Sequence, residues 1–288
     1  MTALAEVLQD IERQLVAAGI ESARADARIL VCEATGIDRA NLIGRSDLDL
    51  TDEQIAAVAE LTTRRVRHEP IALIAGRREF WSLEFKVGPS TLIPRPDSET
   101  LVEAVLEQRP DRLRAYRILD LGTGSGCLLL ALLSEFAKAT GLGVDASQDA
   151  LDIAAGNAVD LGLAPRAAFA WGDWTSNLDP DRDGRFDIIV SNPPYITKPD
   201  WEKLDDDVRL YEPRTALVGG LDGLNPYRAF GPHLPDLLAP EGLFICEIGA
   251  GQAGDVSEIL AESGLTVLGA RRDLAGIERC LLATCSQQ

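Results

Sequence analysis

The sequence predicts an α/β protein with a mostly parallel sheet covered on both faces by helices, preceded by a small helical domain. Two observations predict this fold class. From Tyr116 onward, short apolar segments alternate with helix-length patterns, which is typical of parallel strands joined by crossover helices. Residues 1–69, by contrast, show only helical periodicity. The length of 288 residues also suits two domains better than one.

The N-terminal part predicts a bundle of about four helices. Thr51 and Gln54 have the spacing of a capping box at a helix start. Gly19 and Gly36 follow two earlier helical patterns, where a C-cap residue needs a positive φ. The predicted boundaries are 1–76 for a helical bundle that binds a partner, 77–94 for a β-hairpin linker and 95–288 for the α/β domain.

The strands of the α/β domain are predicted at short apolar segments. These are Arg117–Leu121, Gly143–Asp145, Phe186–Ser191, Leu243–Ile248, Thr266–Leu268 and Arg279–Ala283. The last two lie a hairpin's length apart, so they are expected to be antiparallel to one another.

Composition and charge argue against several classes of protein. The chain carries 28 Lys and Arg against 46 Asp and Glu, a formal charge of −18. Since Lys and Arg supply most of the affinity for phosphate backbones, this balance argues against direct nucleic-acid binding. The longest apolar runs, such as Cys127–Leu133, are far shorter than the ~20 residues of a membrane span. The amphipathic N-terminus lacks the apolar core of a signal peptide, so a cytoplasmic protein is expected.

The cysteines and histidines predict neither a metal site nor a disulfide framework. The five Cys include no Cys-x-x-Cys pair, and they are interpreted as reduced core thiols. His68 and His233 stand far apart, without Cys or carboxylate partners at ligand spacing. Metal-dependent hydrolysis and Ser-His-Asp chemistry are therefore not expected.

A glycine-rich segment, Asp120–Gly126, lies where the first strand of the α/β domain gives way to a helix. Its G-x-G-x-G spacing differs from the G-x-G-x-x-G of pyrophosphate-binding folds, which argues against NAD. Asp145 ends the next strand, where an acidic residue accepts hydrogen bonds from ribose hydroxyls. Asp173 and Trp174 end another strand at the same edge. These acids favour a cationic cofactor without phosphate, which points to S-adenosylmethionine.

The strand Phe186–Ser191 continues into Asn192, Pro193, Pro194 and Tyr195. The two prolines fix φ and remove two donors, so the carbonyls around them point outward. A planar NH2 group could donate to the Asn192 side chain and to a main-chain carbonyl near Pro193, with Tyr195 packed on its flat face. These acceptors would stabilise the positive charge that develops on nitrogen during methyl transfer. This segment therefore predicts methylation of an amide-like nitrogen.

These two motifs resemble those of the class I S-adenosylmethionine-dependent methyltransferases that methylate planar amino nitrogens. Further stretches are similar to the release factor glutamine methyltransferase family (PrmC/HemK). They are Glu79–Leu83, Leu92–Glu99, Tyr211–Leu217, Gly220–Leu224, Glu247–Gly249 and Asp273–Ile277. The resemblance covers nearly the whole chain. It implies a Rossmann-like seven-stranded methyltransferase sheet with an N-terminal helical bundle joined by a β-hairpin linker.

The resemblance implies methylation of the Gln side-chain amide in the Gly-Gly-Gln motif of class 1 peptide chain release factors. A monomer without a metal is expected. S-adenosylhomocysteine is the other product. The predicted cofactor-binding residues are Asp120, Gly122, Thr123, Gly124, Ser125, Gly126, Asp145, Asp173, Trp174 and Asn192. Asn192, Pro193, Pro194 and Tyr195 are the predicted catalytic residues. They are also predicted to bind the substrate, together with Arg95 and Glu99 at the pocket mouth.

Three alternative functions remain open from the sequence. A glutamine methyltransferase acting on a ribosomal protein would use the same chemistry with another partner. A DNA adenine-N6 or cytosine-N4 methyltransferase would need a basic groove, whereas the basic cluster Arg64–Arg67 is expected to form the solvated face of a helix. A non-catalytic binding module could retain the fold, although the intact glycine loop and Asn192–Tyr195 argue against it.

Overall fold

The computed structural model describes residues 2–38, 41–42 and 48–285, and the chain divides into two compact units. The first unit comprises the residues up to Arg77 together with Asp205–Tyr211. The second comprises Arg78–Leu204 and the residues from Glu212 onward. No helix within the described residues is long and apolar enough to cross a membrane.

The first unit is helical, as the sequence predicts. β1 (Thr2–Ala3) pairs antiparallel with β2 (Asp49–Leu50). The helices span Leu4–Ala17, Ala23–Thr35, Asp52–Val66, Ile71–Ala75 and Asp206–Tyr211. Their apolar faces form one core, which includes Leu4, Ile11, Leu15, Leu30, Val31 and Val58.

The predicted helix caps in this unit are confirmed. Gln54 N–H donates to Thr51 Oγ1 (3.3 Å), and Thr51 N–H donates to Gln54 Oε1 (3.0 Å), which completes the capping box. Gly19 and Gly36 have φ of 78° and 71°. Both take the left-handed conformation that ends a helix at low cost only when the residue is glycine.

The expectation that Arg64–Arg67 forms a solvated face is wrong for Arg65. Its guanidinium is buried and donates to Asp26 Oδ2 (2.8 Å) on a neighbouring helix. Arg65 lies three residues after Thr62 and seven after Val58, both buried, so helical periodicity places it on the core side. The ion pair is what makes a buried arginine tolerable there.

We expect Asp26→Ala to lower the free energy of unfolding by about 3–5 kcal/mol, because Arg65 would remain buried without a counter-charge. Denaturant unfolding of the purified variant measures this loss. Asp10→Ala is the matched control, since Asp10 pairs with Arg13 at the surface (3.0 Å). That variant should lose less than about 1 kcal/mol. Equal losses in the two variants would contradict a buried, energetically coupled pair.

β3 (Arg77–Phe80) and β4 (Leu83–Lys86) form a two-stranded sheet inside the predicted linker. Trp81 and Ser82, which join them, have φ of 52° and 57°. Positive φ at both central residues is typical of a type I′ turn, the connection that suits the twist of a tight hairpin. The linker therefore has the hairpin structure that the sequence predicts.

The second unit contains a seven-stranded, mostly parallel sheet, which confirms the predicted fold class. Its strands are β5 (Arg117–Leu121), β6 (Thr140–Asp145), β7 (Ala167–Trp171), β8 (Phe186–Ser191), β9 (Leu238–Glu247), β10 (Leu265–Arg272) and β11 (Glu278–Cys285). The spatial order is β10-β11-β9-β8-β5-β6-β7. β5 to β9 run parallel, whereas β11 is antiparallel to both β9 and β10.

Helices and apolar side chains cover both faces of this sheet. The helices span Glu99–Gln108, Cys127–Glu135, Gln148–Asp160, Pro180–Asp183, Lys198–Trp201, Asn225–Phe230, Leu234–Leu237 and Ala253–Glu262. Short 3-10 helices occupy Pro96–Ser98, Arg214–Ala216 and Gly231–His233. Alternate strand residues enter separate cores: Ile188 and Val190 pack in one, and Ile189 in the other. Burial on both faces explains why a central strand such as β8 is mostly apolar.

Candidate active site

A cavity of about 410 Å³ lies at the carboxyl ends of the parallel strands. β5 is flanked by β6 on one side and β8 on the other, so the order in which successive strands are added to the sheet reverses at β5. Ligands of doubly wound sheets bind at such a point. The predicted site residues that line the cavity are Arg95, Gly122, Thr123, Gly124, Ser125, Asp145, Asp173, Trp174, Asn192 and Pro194.

The loop after β5 is turned by its glycines. Gly122, Gly124 and Gly126 have φ of 74°, 54° and 80°, a region that residues with a Cβ rarely enter. A Cβ at Gly122 would also lie 3.3 Å from the Trp174 ring. Gly126 precedes the helix Cys127–Glu135 and packs against Ala154 instead of lining the cavity. Gly122 and Gly124 thus present main-chain atoms, without side chains, to the cavity.

Asp145 ties this loop to the end of β6. Its Oδ2 accepts the N–H of Gly124 (2.8 Å), and its Oδ1 accepts the N–H of Ser147 (2.9 Å). An ionised carboxylate has about four acceptor positions, so lone pairs remain for a ligand in the cavity. The predicted position of Asp145 at the strand end is the observed one.

Asp120 lies behind the glycine loop and does not line the cavity. Thr123 Oγ1 donates to its Oδ2 (2.7 Å), while its buried Oδ1 has no hydrogen-bond partner among the described residues. Burial raises the pKa of Asp120 to about 7; the Thr123 hydrogen bond opposes the rise, and the charge of Asp145 adds to it. This carboxyl group therefore changes charge close to neutral pH.

Trp174 supplies aromatic surface to the cavity after β7. Its ring packs edge-on against Phe230, with centroids 5.4 Å apart. Asp173 lines the cavity beside it, and its N–H donates to Ser176 Oγ (3.2 Å). Asp173 and Trp174 therefore both lie at the cavity, as the sequence predicts from their adjacent positions after a strand.

Asn192 follows β8 and lines the cavity together with Pro194. Its Nδ2 donates to Ser98 Oγ (3.0 Å), and its Oδ1 accepts no hydrogen bond from the residues that the structure describes. Pro193 is buried behind them. Tyr195 does not line the cavity, and its hydroxyl donates to Glu247 Oε1 (2.9 Å). Burial raises the pKa of Tyr195 far above its usual range, so the phenol stays protonated.

A second loop supports this segment through backbone contacts that sequence reasoning did not foresee. Ile196 N–H donates to Leu217 O (2.9 Å), and a parallel bridge joins Ile196 to Val218. A Cβ on Gly219 would overlap the carbonyl oxygen of Pro194, and one on Gly223 would overlap that of Tyr195. The only sequence signal for this packing is the glycines themselves.

The two residues predicted at the pocket mouth have different surroundings. Arg95 lines the cavity and forms an ion pair with the buried carboxylate of Glu212. Glu212 also accepts the N–H of Ile93 (3.0 Å). Glu99 does not line the cavity, and its Oε1 accepts the N–H of Trp81 at the hairpin turn (2.8 Å). The structure thus brings Arg95, but not Glu99, to the cavity.

Sequence reasoning assigned no role to three further residues at the site. Ser98 and Cys127 line the cavity, and Glu247 lies behind it in contact with Ser98. Burial raises the pKa of Cys127 to about 12, so its thiol stays protonated. Within residues 2–38, 41–42 and 48–285, no group of three or more His, Cys, Asp or Glu side chains could hold a metal ion.

Comparison with known proteins relates this site to a family. The family model of the PrmC N-terminal domain matches residues 6–76, and that of the methyltransferase small domain matches residues 96–204. A release factor glutamine methyltransferase from Rhodospirillum rubrum is 45% identical over 94% of this chain and 81% of its own. The chain belongs to the release factor glutamine methyltransferase family. The resemblance seen in the sequence motifs is thereby confirmed.

Other relatives agree with this assignment. The release factor glutamine methyltransferase of Bradyrhizobium diazoefficiens is 44% identical over 94% of this chain and 91% of its own. A methyltransferase structure from Pyrococcus furiosus aligns with a TM-score of 0.54 over 80% of this chain and 100% of its own. At 14% identity, that structure supports the fold alone.

Proposed function

We propose that this protein transfers a methyl group from S-adenosylmethionine to the side-chain amide nitrogen of the Gln in the Gly-Gly-Gln motif of class 1 peptide chain release factors. The observation that carries the proposal is the Asn192 side chain, which lies in the cavity with Nδ2 engaged and Oδ1 open. An open carbonyl-type acceptor beside the glycine loop suits an incoming NH2 group. Membership of the family supports the choice of substrate.

The residues at the cavity fit S-adenosylmethionine. The sulfonium and ammonium of this molecule are cations, and the acidic residues Asp145 and Asp173 line the cavity. Behind the glycine loop, Asp120 adds a buried Oδ1 without a partner among the described residues. The Gly122–Gly126 loop would hold the methionine part and Asp145 the ribose. Trp174 and Asp173 would lie beside the adenine. When bound, the cofactor supplies an electrophilic methyl group on sulfur and leaves as S-adenosylhomocysteine.

The chain's own residues would bind and orient the amide nitrogen. Asn192 Oδ1 would accept one N–H of the substrate amide, and a carbonyl near Pro193 would accept the other. These acceptors would stabilise the positive charge that forms on nitrogen, so no general base is required for the transfer itself. The surplus proton of the methylated nitrogen would then leave to water, which gives the neutral N-methyl amide. Holding the nitrogen in line with the methyl group would lower the activation free energy further, by up to roughly 7–11 kcal/mol.

The surrounding residues would complete the substrate site. Pro194 lines the cavity and would contact the amide. Tyr195 lies outside the cavity lining with its hydroxyl bound to Glu247, so its packing on the flat face of the amide stays a prediction. Arg95 would contact the substrate at the mouth. For Glu99 a substrate contact stays a prediction, since its observed hydrogen bond is to the hairpin. The helical unit, matched by the PrmC N-terminal domain model, would bind the release factor.

We expect the affinity for S-adenosylmethionine to rise roughly tenfold between about pH 6 and pH 8. The cationic cofactor favours ionised Asp120, whose pKa is raised to about 7. Below that pH the carboxyl group must release a proton before its charge can attract the cation across the glycine loop; above it, no proton is lost. Calorimetric titration across this range measures the effect. Asp120→Asn should flatten the profile, whereas Asp149→Asn, at an exposed carboxylate, should keep it. A flat wild-type profile would remove Asp120 from cofactor binding.

The proposed function is tested by methyl transfer from labelled S-adenosylmethionine. The substrates offered side by side are a release factor, its Gly-Gly-Gln→Gly-Gly-Ala variant, a ribosomal protein mixture without release factors and duplex DNA. Label on the intact release factor alone is the expected result. Label on a ribosomal protein or on DNA would replace the proposal with one of the alternatives. Cofactor binding without label on any substrate would contradict the proposed substrate.

A further inference from the structure

A buried carboxylate at the end of β9 joins two residues of the proposed substrate site. Glu247 is only 2% exposed. Its Oε2 accepts the hydroxyl proton of Ser98 (2.5 Å), and its Oε1 accepts that of Tyr195 (2.9 Å). Ser98 Oγ in turn accepts Asn192 Nδ2–H (3.0 Å). One carboxylate thus links both ends of the Asn192–Tyr195 segment.

The number of protons available to this series of hydrogen bonds fixes the orientation of the Asn192 side-chain amide. A serine hydroxyl has one proton, and Ser98 donates it to Glu247. Toward Asn192, Ser98 can then only accept, so the NH2 side of that amide must face it. Oδ1 is consequently turned away from Ser98. An Asn side chain without this constraint could flip and present a donor where the reaction needs an acceptor.

We propose that Ser98 and Glu247 are positioning residues that hold the Asn192 amide with Oδ1 available to the substrate nitrogen. The part of this inference that concerns the substrate nitrogen rests on the proposed function. The arrangement of hydrogen bonds around Asn192 does not depend on that function.

The surroundings of Glu247 keep both of its oxygens occupied by donors. Burial raises the pKa of Glu247, while the hydrogen bonds from Ser98 and Tyr195 and the charge of Arg279 oppose the rise. Tyr227 O–H donates to the main-chain oxygen of Glu247 (2.8 Å), which fixes the backbone at the strand end. The carboxylate therefore has a defined place and two defined partners.

Two variants separate this arrangement from a merely structural role. Ser98→Ala removes the acceptor for Asn192 Nδ2. Glu247→Gln keeps the shape but adds an NH2 group that can donate to Ser98, which frees the Ser98 proton to donate to Asn192 Oδ1. In both variants the Asn192 amide loses its fixed orientation. Ser263→Ala and Glu135→Gln are matched controls, since their hydrogen bonds, to Ile259 O and from Trp81 Nε1, lie outside the cavity.

The first readout is the NMR signal of the Asn192 side-chain NH2 in protein labelled at its five asparagines. Asn192→Ala assigns the signal. We expect slow solvent exchange of this NH2 group in the wild-type protein and in both controls. Exchange should be faster in Ser98→Ala and Glu247→Gln. This measurement needs no substrate, so it stands even if the proposed function fails.

The second readout is turnover at saturating cofactor and release factor. We expect kcat to fall by about 10–100-fold in Ser98→Ala and Glu247→Gln, because a small misplacement of the reacting groups has effects of that size. Cofactor affinity and the unfolding midpoint should remain near those of the matched controls. The controls should keep wild-type kcat.

Faster NH2 exchange together with reduced kcat in both variants would support the inference. An Asn192 NH2 signal that exchanges freely in the wild-type protein, or that is unchanged in the variants, would overturn it. Unchanged kcat in a variant whose NH2 group exchanges faster would also overturn it. If the wild-type protein methylates no release factor, the proposed function fails, and the exchange rates alone decide the hydrogen-bond arrangement.

Discussion

Asn192→Ala is expected to lose nearly all methyl transfer while the protein stays folded. The substitution removes Oδ1, the acceptor proposed for the substrate amide, from a side chain that lines the cavity. Its loss removes both an orienting hydrogen bond and the stabilisation of the charge that develops on nitrogen. Single-turnover measurements with saturating S-adenosylmethionine and release factor would report the chemical step directly.

A tenth of the wild-type rate is the threshold for this prediction. Retention of more than that corresponds to under ~1.4 kcal/mol of transition-state stabilisation and would contradict the role given to Asn192. Asn177→Ala is the matched control, because Asn177 is exposed, does not line the cavity, and its side-chain amide donates to Trp171 O (3.2 Å). It should keep full turnover. Similar unfolding transitions for the two variants would exclude misfolding as the cause of a loss.

Asp145→Ala should weaken the binding of S-adenosylmethionine by roughly 10–150-fold, the equivalent of one hydrogen bond to a charged group. The substitution removes the acceptor proposed for the ribose. It also releases the N–H of Gly124, which Asp145 Oδ2 holds at 2.8 Å, and so loosens the glycine loop. Calorimetry of cofactor binding measures the change.

The effect of Asp145→Ala should be concentrated in binding and not in chemistry. At saturating S-adenosylmethionine, kcat should recover most of its wild-type value, since Asn192 and its neighbours are untouched. Asp149→Ala, at an exposed position on the following helix, is the control and should bind the cofactor normally. An unchanged dissociation constant in a folded Asp145→Ala protein would place the ribose elsewhere.

The sequence predicts the central strands because most of their residues are buried and apolar. β5 and β8 have the predicted bounds, Arg117–Leu121 and Phe186–Ser191. β6 begins at Thr140, three residues earlier than predicted. The prediction missed these residues because Thr140, Gly141 and Leu142 do not form an apolar run. Backbone pairing with β5 extends the strand where side-chain hydrophobicity gives no signal.

The contacts that the sequence could not predict join distant segments, both at the site and in the helical unit. Ser98 and Glu247 are 149 positions apart and meet only in the folded sheet. Arg65 reads as one member of a basic run, and its partner Asp26 lies 39 positions earlier. Local periodicity contains no information about such pairs. By contrast, Asp145 and Asn192 were predictable because the carboxyl ends of parallel strands in one sheet lie at the same edge, here on either side of β5.

The close approach of Gly219 and Gly223 to the carbonyls of Pro194 and Tyr195 has a consequence for protein engineering. The two loops behave as one module, since neither can change its backbone path without the other. Grafting Asn192–Tyr195 alone into another methyltransferase would leave those carbonyls against side chains that do not fit. An engineered methyltransferase that is to gain this substrate site therefore needs both loops. A substitution at Gly219 or Gly223 likewise requires a compensating change in the other loop.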